Sequence, residues 1–248
     1  IRFRLIFRRQ CTVCLLQYRR IRWREERRIG IQNVKQQIYD YIAVEGLKPF
    51  FCRIGVHQCA AIKGRGCSKG VRQIRRWLRN KSLTYFAKAD IKKCYESIDR
   101  KLLMEFLRKH IKNDMLLWLI ETIINTFDKG LSIGSYLSQF LCNLYLSQLY
   151  HEISHMHKIR KSRRNKTSEY ISLIKHQLFY MDDILLISTN SKDLHKAVKL
   201  MIKYAKDKLG LIIKVDWFVS KIDNKDKEHD TKFIDMMGFR IYRWHENC

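Results

Sequence analysis

The stretch FYMDDILLIS, residues 179–188, sets two adjacent carboxylates, Asp182 and Asp183, inside a run that otherwise has the character of a buried β-strand. Phe179, Tyr180, Ile184, Leu185, Leu186 and Ile187 favour extended structure, and Thr189, Asn190 and Ser191 break the run. Two anions between apolar halves cost several kcal/mol to desolvate, and a hairpin needing only a turn would carry Asn-Gly or Asp-Gly there. The charge therefore needs a partner. A Lys or Arg ion pair supplies one. A divalent cation is another, since adjacent oxygen-only anionic ligands suit Mg²⁺. A turn with two solvated acids is the plain alternative.

Composition narrows the partner class. Among 248 residues, 50 are Lys or Arg and 24 are Asp or Glu, a formal charge of +26 that exceeds what solubility requires. Nucleic acid is the polyanion that fits. A membrane surface competes, but no apolar stretch of spanning length and no lipidation motif occurs. The opening IRFRLIFRRQ mixes Arg with apolar residues too closely for a signal-peptide core, and a chain that starts at Ile1 reads as a fragment or a processed form. Eight scattered cysteines read as reduced thiols, which predicts a cytoplasmic protein. Cys11-x-x-Cys14 lacks a second pair at finger spacing, so little weight falls on zinc. Neither H-E-x-x-H nor G-x-S-x-G occurs, and hydrolase chemistry has no support.

Hydrophobic content of 46% supports one large domain or two small ones. Residues 101–127 carry two amphipathic helical runs, and 137–154 reads as a further helix. Ser191 is placed to cap a helix with Leu194, Ala197, Val198, Met201, Ile202 and Ala205 on its apolar face, closed by Gly210. Strands are predicted at 85–91, 178–188, 211–215 and 233–242, and the basic segment 157–170 is predicted as a loop, either a solvated insertion or a phosphate contact. Helices on a small, mainly antiparallel sheet make an α+β fold.

TYFAKADIKKCYESID, 84–99, runs a β-type segment into a third acid, Asp90. Two-metal phosphoryl transfer needs anionic ligands from separate elements, clamping ions about 3.5–4 Å apart. Asp90 with Asp182 and Asp183 would supply them. Taken alone, Asp90 could instead cap the run near Tyr95, and Asp99 is the stronger cap candidate, for the helix after it.

These segments, in chain order, resemble the motifs of reverse transcriptases of the right-hand polymerase type. ADIKKCYESID is similar to the first catalytic motif, GLSIGSYLSQFLCNLYLS (130–147) to the glycine turn and helix that follow, and YMDD to the metal-binding hairpin. LGLIIKV (209–215) and MMGFRIY (236–242) resemble the next two segments, the second being the primer-grip strand. Upstream, RRIGIQNVKQQIYD (27–40) and QCAAIKGRGCSKGV (58–71) resemble the fingers segments. The likeness covers about residues 27–243.

The resemblance implies fingers over 1–84 and a palm over 85–248, with a helical insertion near 101–128 and almost no room for a thumb before Cys248. It implies RNA-directed DNA synthesis with two Mg²⁺, or Mn²⁺ as substitute, on Asp90, Asp182 and Asp183. Tyr95 takes the position that excludes a 2′-hydroxyl. Gly134, Met181, Arg27 and Lys35 fall to nucleotide binding, and Lys63, Arg65, Ser138, Gln139 and Gly238 to template and primer. Lys214 or Lys221 is placed to protonate pyrophosphate. Expected partners are an RNA template, a DNA or RNA primer, dNTPs and an accessory protein, with no membrane. Ile133-Gly134-x-x-x-Ser138-Gln139 departs from the Gln-Gly and Ser-Pro form and is similar to enzymes of diversity-generating and related bacterial retroelements, group II intron-like enzymes among them, which implies relaxed fidelity. Two alternatives stay open. An RNA-dependent RNA polymerase would show Gly before Asp-Asp and a small or acidic residue at 95, and a catalytically impaired nucleic-acid-binding remnant would bind RNA without copying it.

Overall fold

The computed structural model describes residues 17–23, 25–161, 168–222 and 233–243. Cys11, Cys14 and Cys248 lie outside them. The chain divides into two compact units, one from the described parts of Ile1–Phe51 and Tyr95–Cys142, the other from Cys52–Cys94 and the described parts of Asn143–Cys248. Residues 52–84 group with the central sheet, and the helical stretch 101–128 with the described N-terminal residues.

In the first unit, strands β1 (Gln17–Trp23) and β2 (Glu25–Ile31) form an antiparallel ladder. Helix α1 (Val34–Leu47) starts where Asn33 accepts the Gln36 amide on its side chain, satisfying one of the donors a helix start leaves unpaired. Two amphipathic helices follow the short α3 (Cys94–Ser97): α4 (Arg100–His110), capped by Asp99 as predicted, and α5 (Asp114–Ile124), capped by Asn113. Their apolar faces bury Leu103, Leu107, Ile120 and Ile124, with Ala43 and Leu47 of α1. The helix expected at 137–154 is α6 (Tyr136–His155), and the chain passes from one unit to the other within it.

The second unit is built on a five-stranded sheet. Its order is β3 (Gln58–Cys59), β7 (His176–Tyr180), β8 (Asp183–Ser188), β4 (Tyr85–Asp90) and β9 (Phe218–Lys221), antiparallel throughout except β3 against β7. Side chains alternate across a strand, so Phe86, Lys88 and Asp90 share a face with Asp183, Leu185 and Ile187. On that face Phe86, Leu178, Leu185 and Ile187 pack with Val71, Ile74 and Trp77 of α2 (Cys67–Leu78) and with Ile234, Met236 and Ile241 of a separate hairpin, β10 (Ile234–Met236) and β11 (Phe239–Ile241). The opposite face, carrying Ala87, Ala89, Ile184 and Leu186, lies against α7 (Ser191–Leu209).

Four local expectations change. Within the segment 157–170 the described residues are strands, not loop: β5 (His157–Lys161) pairs antiparallel with β6 (Ser168–Ser172), because Lys158, Arg160 and Glu169, Ile171 alternate with Ile159 and Tyr170 at the period of a strand. Residues 211–215 form a single bridge, Ile91 with Ile213, and the partner strand of β4 comes later, at Phe218–Lys221. The cap of α7 is Asn190, whose carboxamide oxygen accepts the Lys192 amide, one residue before the predicted Ser191, and Gly210 closes the helix at φ 64°. The predicted strand at 233–242 is a tight hairpin turning at Met237 (φ 58°) and Gly238 (φ 78°), two left-handed residues whose twist matches that of the flanking strands.

Candidate active site

Strands β4 and β8 run in register from Tyr85 opposite Ser188 to Asp90 opposite Asp183, so the two carboxylates end the ladder side by side on one face. Asp90 is a strand end, not a helix cap. Strands β7 and β8 join through only Met181 and Asp182, and the turn closes with Met181 at φ 56°, a conformation unfavourable for a residue with a side chain. Asp182 uses its carbonyl to accept the Ile91 amide at 3.1 Å, tying the turn to the end of β4. Asn143 of α6 donates to the Met181 sulfur at 3.3 Å and to the Ala60 carbonyl at 3.2 Å. Gln58 donates to the Asn143 carbonyl at 2.9 Å, so β3 and its loop brace the same turn.

Lysines, not further acids, meet the carboxylates. Lys214 Nζ donates to Asp90 Oδ2 at 2.7 Å while its backbone amide donates to the Asp90 carbonyl at 2.8 Å. Lys88, two residues before Asp90 on the same face, places Nζ 3.5 Å from Asp183 Oδ2 and donates to the Asp235 carbonyl at 2.5 Å. Oδ1 of Asp90 and Oδ1 of Asp183 are buried and accept no hydrogen bond. Burial pushes the Asp183 carboxyl up to about 6, against the pull of Lys88, and repulsion from Asp90 and Asp182 adds to the rise. Tyr180, on the same face, shares a hydrogen bond of 2.9 Å with the Cys67 thiol, which with burial pushes its phenol up to about 12 and keeps it neutral.

The donor set fits a hard divalent cation. Paired carboxylates in register, each with an unsatisfied oxygen and with charge offset by displaceable lysine ends, are what such an ion would bind. Among the described residues, however, no group of three or more His, Cys, Asp or Glu side chains converges as a cage. Asp90 and Asp183 form the close pair, and Asp182 acts on Asp183 from the turn as a neighbouring charge.

The other candidate residues separate between the units. Tyr95 and Gly134 belong to the first unit, the three acids to the second. Tyr95 is half-buried in α3, and its carbonyl accepts the Leu131 amide at 2.8 Å. Gly134 has φ 110°, and a Cβ there would lie 2.5 Å from the Gly30 carbonyl of β2, so the glycine is required by strand contact within the unit. Ser138 is buried and its amide donates to Ser135 Oγ, while Gln139 is half-buried one residue on. Arg27 falls on β2 opposite Ile21, and Lys35 is exposed in the first turn of α1. In the second unit Lys63 is exposed, whereas Arg65 spends a guanidinium N–H on the Gly55 carbonyl at 2.8 Å. Lys221 pairs with Tyr85 at the end of β4 remote from Asp90, so of the two expected lysines Lys214 is the one beside the acids. Lys88 and Asn143 were not anticipated from sequence. Lys88 carried a usable signal, its spacing of two from Asp90 in a strand; Asn143 carried none.

A family model described as reverse transcriptase (RNA-dependent DNA polymerase) matches residues 23–228. No curated protein matches the chain. Among solved structures, the fold is similar to apo telomerase from Candida tropicalis truncated from its C-terminal domain, at TM-score 0.63 and 14% identity over 92% of this chain and 53% of that one. It is also similar to telomerase from Candida albicans in complex with a TWJ fragment of telomeric RNA, at TM-score 0.60 and 12% identity over 94% of this chain and 45% of that one. The corresponding Candida tropicalis complex gives TM-score 0.62 and 14% identity over 93% and 44%. This chain thus spans about half the length of each.

Proposed function

The chain belongs to the reverse transcriptase family, and on that premise we propose that it is an RNA-directed DNA polymerase, extending a primer 3′-hydroxyl with deoxynucleotides on an RNA template. The observation that carries the reading is the β4–β8 register, which ends with Asp90 facing Asp183 and one oxygen of each unsatisfied. Asp90 and Asp183, with Asp182 beside them, would hold two Mg²⁺, or Mn²⁺ in their place. Bound there, such ions supply charge for the phosphates and acidify the attacking hydroxyl.

The chain's own residues position and protonate. Lys88 keeps Asp183 oriented, and above a pH of about 6 that carboxylate is anionic and ready for a cation. Lys214, held by Asp90, is the proton donor for the departing pyrophosphate. Tyr95 screens the sugar 2′ position by clash, Gly134 and Met181 line the nucleotide, and Arg27 and Lys35 meet the triphosphate. Lys63, Arg65, Ser138, Gln139 and Gly238 serve the template and primer. Residues 1–84 act as fingers and 85–248 as palm. The Ile133-Gly134 form of the glycine turn supports a bacterial retroelement setting, and an accessory protein joins the RNA there. Free thiols at Cys52, Cys59, Cys67, Cys94 and Cys142 support a reducing, cytoplasmic compartment. No helix of the described residues is long and apolar enough to cross a membrane.

Primer extension on poly(rA)·oligo(dT) with Mg²⁺ tests this directly. Product is expected from dTTP and not from UTP, and Tyr95→Ala should admit UTP. A chain that binds primed RNA tightly yet makes no DNA sinks the reading.

A further inference from the structure

Helix α7 covers the sheet face opposite the carboxylates, and its outward side has a composition that folding does not require. Lys192, Lys196, Lys199, Lys203 and Lys206 recur at steps of four, three, four and three residues, and all five are exposed. At 100° per residue they fall in one narrow stripe about 21 Å long, opposite the buried row of Leu194, Val198, Met201 and Ala205. Between Lys192 and Lys206 no acid falls within the stripe, so neighbouring lysines along it repel, and only Asp207, four residues after Lys203, borders it at its far end; Lys192 adds a cation at the helix end whose dipole disfavours one. A face built for stability alternates signs. The lysines at the start of the stripe, with His195 and Leu200, line a shallow concavity of about 410 Å³.

A second element joins this surface. Asp193, an acid in the first turn of α7, is taken up by Lys158 of β5, whose Nζ donates to its two oxygens at 2.8 and 2.6 Å. That pair pins the β5–β6 hairpin beside the start of the lysine stripe and neutralises Asp193. Opposite one another on the hairpin stand Ile159 and Tyr170, 56% and 68% exposed, with the Tyr170 ring 4.9 Å edge-on from His157. The pair thus presents an aliphatic side chain and an aromatic ring to solvent beside the cations. Cations along one line with an exposed aromatic ring beside them make the combination that grips phosphates and stacks an unpaired base.

We infer that α7 and the β5–β6 hairpin form a second RNA-docking surface, which takes the phosphate backbone and an unpaired base of structured RNA away from the carboxylates. The inference deepens the polymerase reading and rests on it only in naming RNA as the polyanion. Five phosphate contacts contribute about 3.5 to 4.5 to the slope of log Kd against log salt.

The test compares the unaltered protein with the fivefold variant K192Q/K196Q/K199Q/K203Q/K206Q and with Tyr170→Ala, using a labelled, unprimed RNA stem-loop and fluorescence anisotropy across a salt series. The fivefold variant is expected to bind at least about tenfold more weakly at moderate salt, with its slope reduced by roughly 3.5 to 4.5. Tyr170→Ala should weaken binding by about tenfold and leave the slope unchanged. Extension of poly(rA)·oligo(dT) should be unaltered in both. Equal affinity and slope in all three proteins overturns the inference. So does loss of binding to phosphatidylserine vesicles with stem-loop affinity intact, which would assign the surface to a membrane. If the unaltered protein extends no primer but loses stem-loop affinity with its lysines, the docking surface stands and the polymerase reading falls.

Discussion

Asp40, in the first unit, and Asp183, in the second, are both carboxylates withdrawn from water, and burial pushes both above the ordinary carboxylate range. Their partners differ in kind. Asp40 is wholly enclosed, and its Oδ2 accepts from Ser135 Oγ at 2.6 Å and from the Leu137 amide at 3.3 Å. Those donors are short, neutral and fixed at the first turn of α6. Asp183 keeps 24% of its side chain exposed, faces another acid across the ladder, and is met by the end of a lysine. A long cationic side chain can swing away when a competing charge arrives, whereas a helix amide cannot. Asp40 therefore works as a helix cap supplied from a distance, and Asp183, under the function proposed above, as a ligand held ready.

The largest effect that sharpens this contrast is on turnover. Asp183→Asn should lower primer extension by about a thousandfold or more, since it removes charge where the reaction develops it. The same change should leave the melting temperature at pH 7.5 equal or higher, because a buried anion disappears and Lys88 retains the Asp235 carbonyl. A large fall in melting temperature would put Asp183 in the same class as Asp40 and remove the distinction. Asp40→Ala should do the reverse to stability. Losing the cap and leaving Ser135 and Leu137 unsatisfied costs about 2–4 kcal/mol, read as a melting temperature lower by roughly 5–15 °C. No change on denaturation would show that the Ser135 turn is held by other means.

A pH titration separates the two carboxylates next. The Asp183 carboxyl sits near 6 when folded against an ordinary value of 3.8, so the native state keeps its proton longer than the unfolded chain does. Its contribution is therefore fully present below a pH of about 4 and is lost as pH rises through about 6, by roughly 2–3 kcal/mol. In chelator, the difference in stability between the unaltered protein and Asp183→Asn should follow that curve. Millimolar Mg²⁺ should restore stability at pH 7.5 in the unaltered protein alone. A difference that stays flat from pH 4 to 7 contradicts the raised carboxyl.

These two acids were also unequally legible in the sequence. Asp183 announced itself because an anion inside a β-favouring run conflicts with its neighbours, and Asp90 did so at the end of another such run. Asp40 gave no signal: it sits on an amphipathic helix like many surface acids, and Ser135 is 95 residues away in the chain. Helices with strong apolar periodicity, such as α7, were found to within a residue or two. The β5–β6 hairpin was missed because its charge density reads as solvent-facing loop, although Ile159 and Tyr170 keep strand spacing. Residues 211–215 misled in the opposite direction. Their apolar pattern suits a strand, but only Ile213 bridges Ile91, while the neighbouring backbone is occupied in holding Lys214 against Asp90.

The smallest expected effect falls on Lys214. Its side chain and that of Asp90 are each about one-third exposed, at 36% and 35%. Solvent screening leaves such a pair about 1 kcal/mol or less, so Lys214→Gln should barely move the melting temperature. Turnover should fall all the same, because Gln offers no proton of suitable acidity to the leaving pyrophosphate. The loss should appear in kcat more than in KM, and Lys214→Arg should keep the ion pair while failing to restore the rate. A variant that loses KM and kcat together, with rescue by Arg, would show instead that Lys214 merely holds Asp90 in place. The lysine would then belong with the Ser135 hydroxyl as a fixed structural partner, and the contrast between the two carboxylates would narrow to their exposure alone.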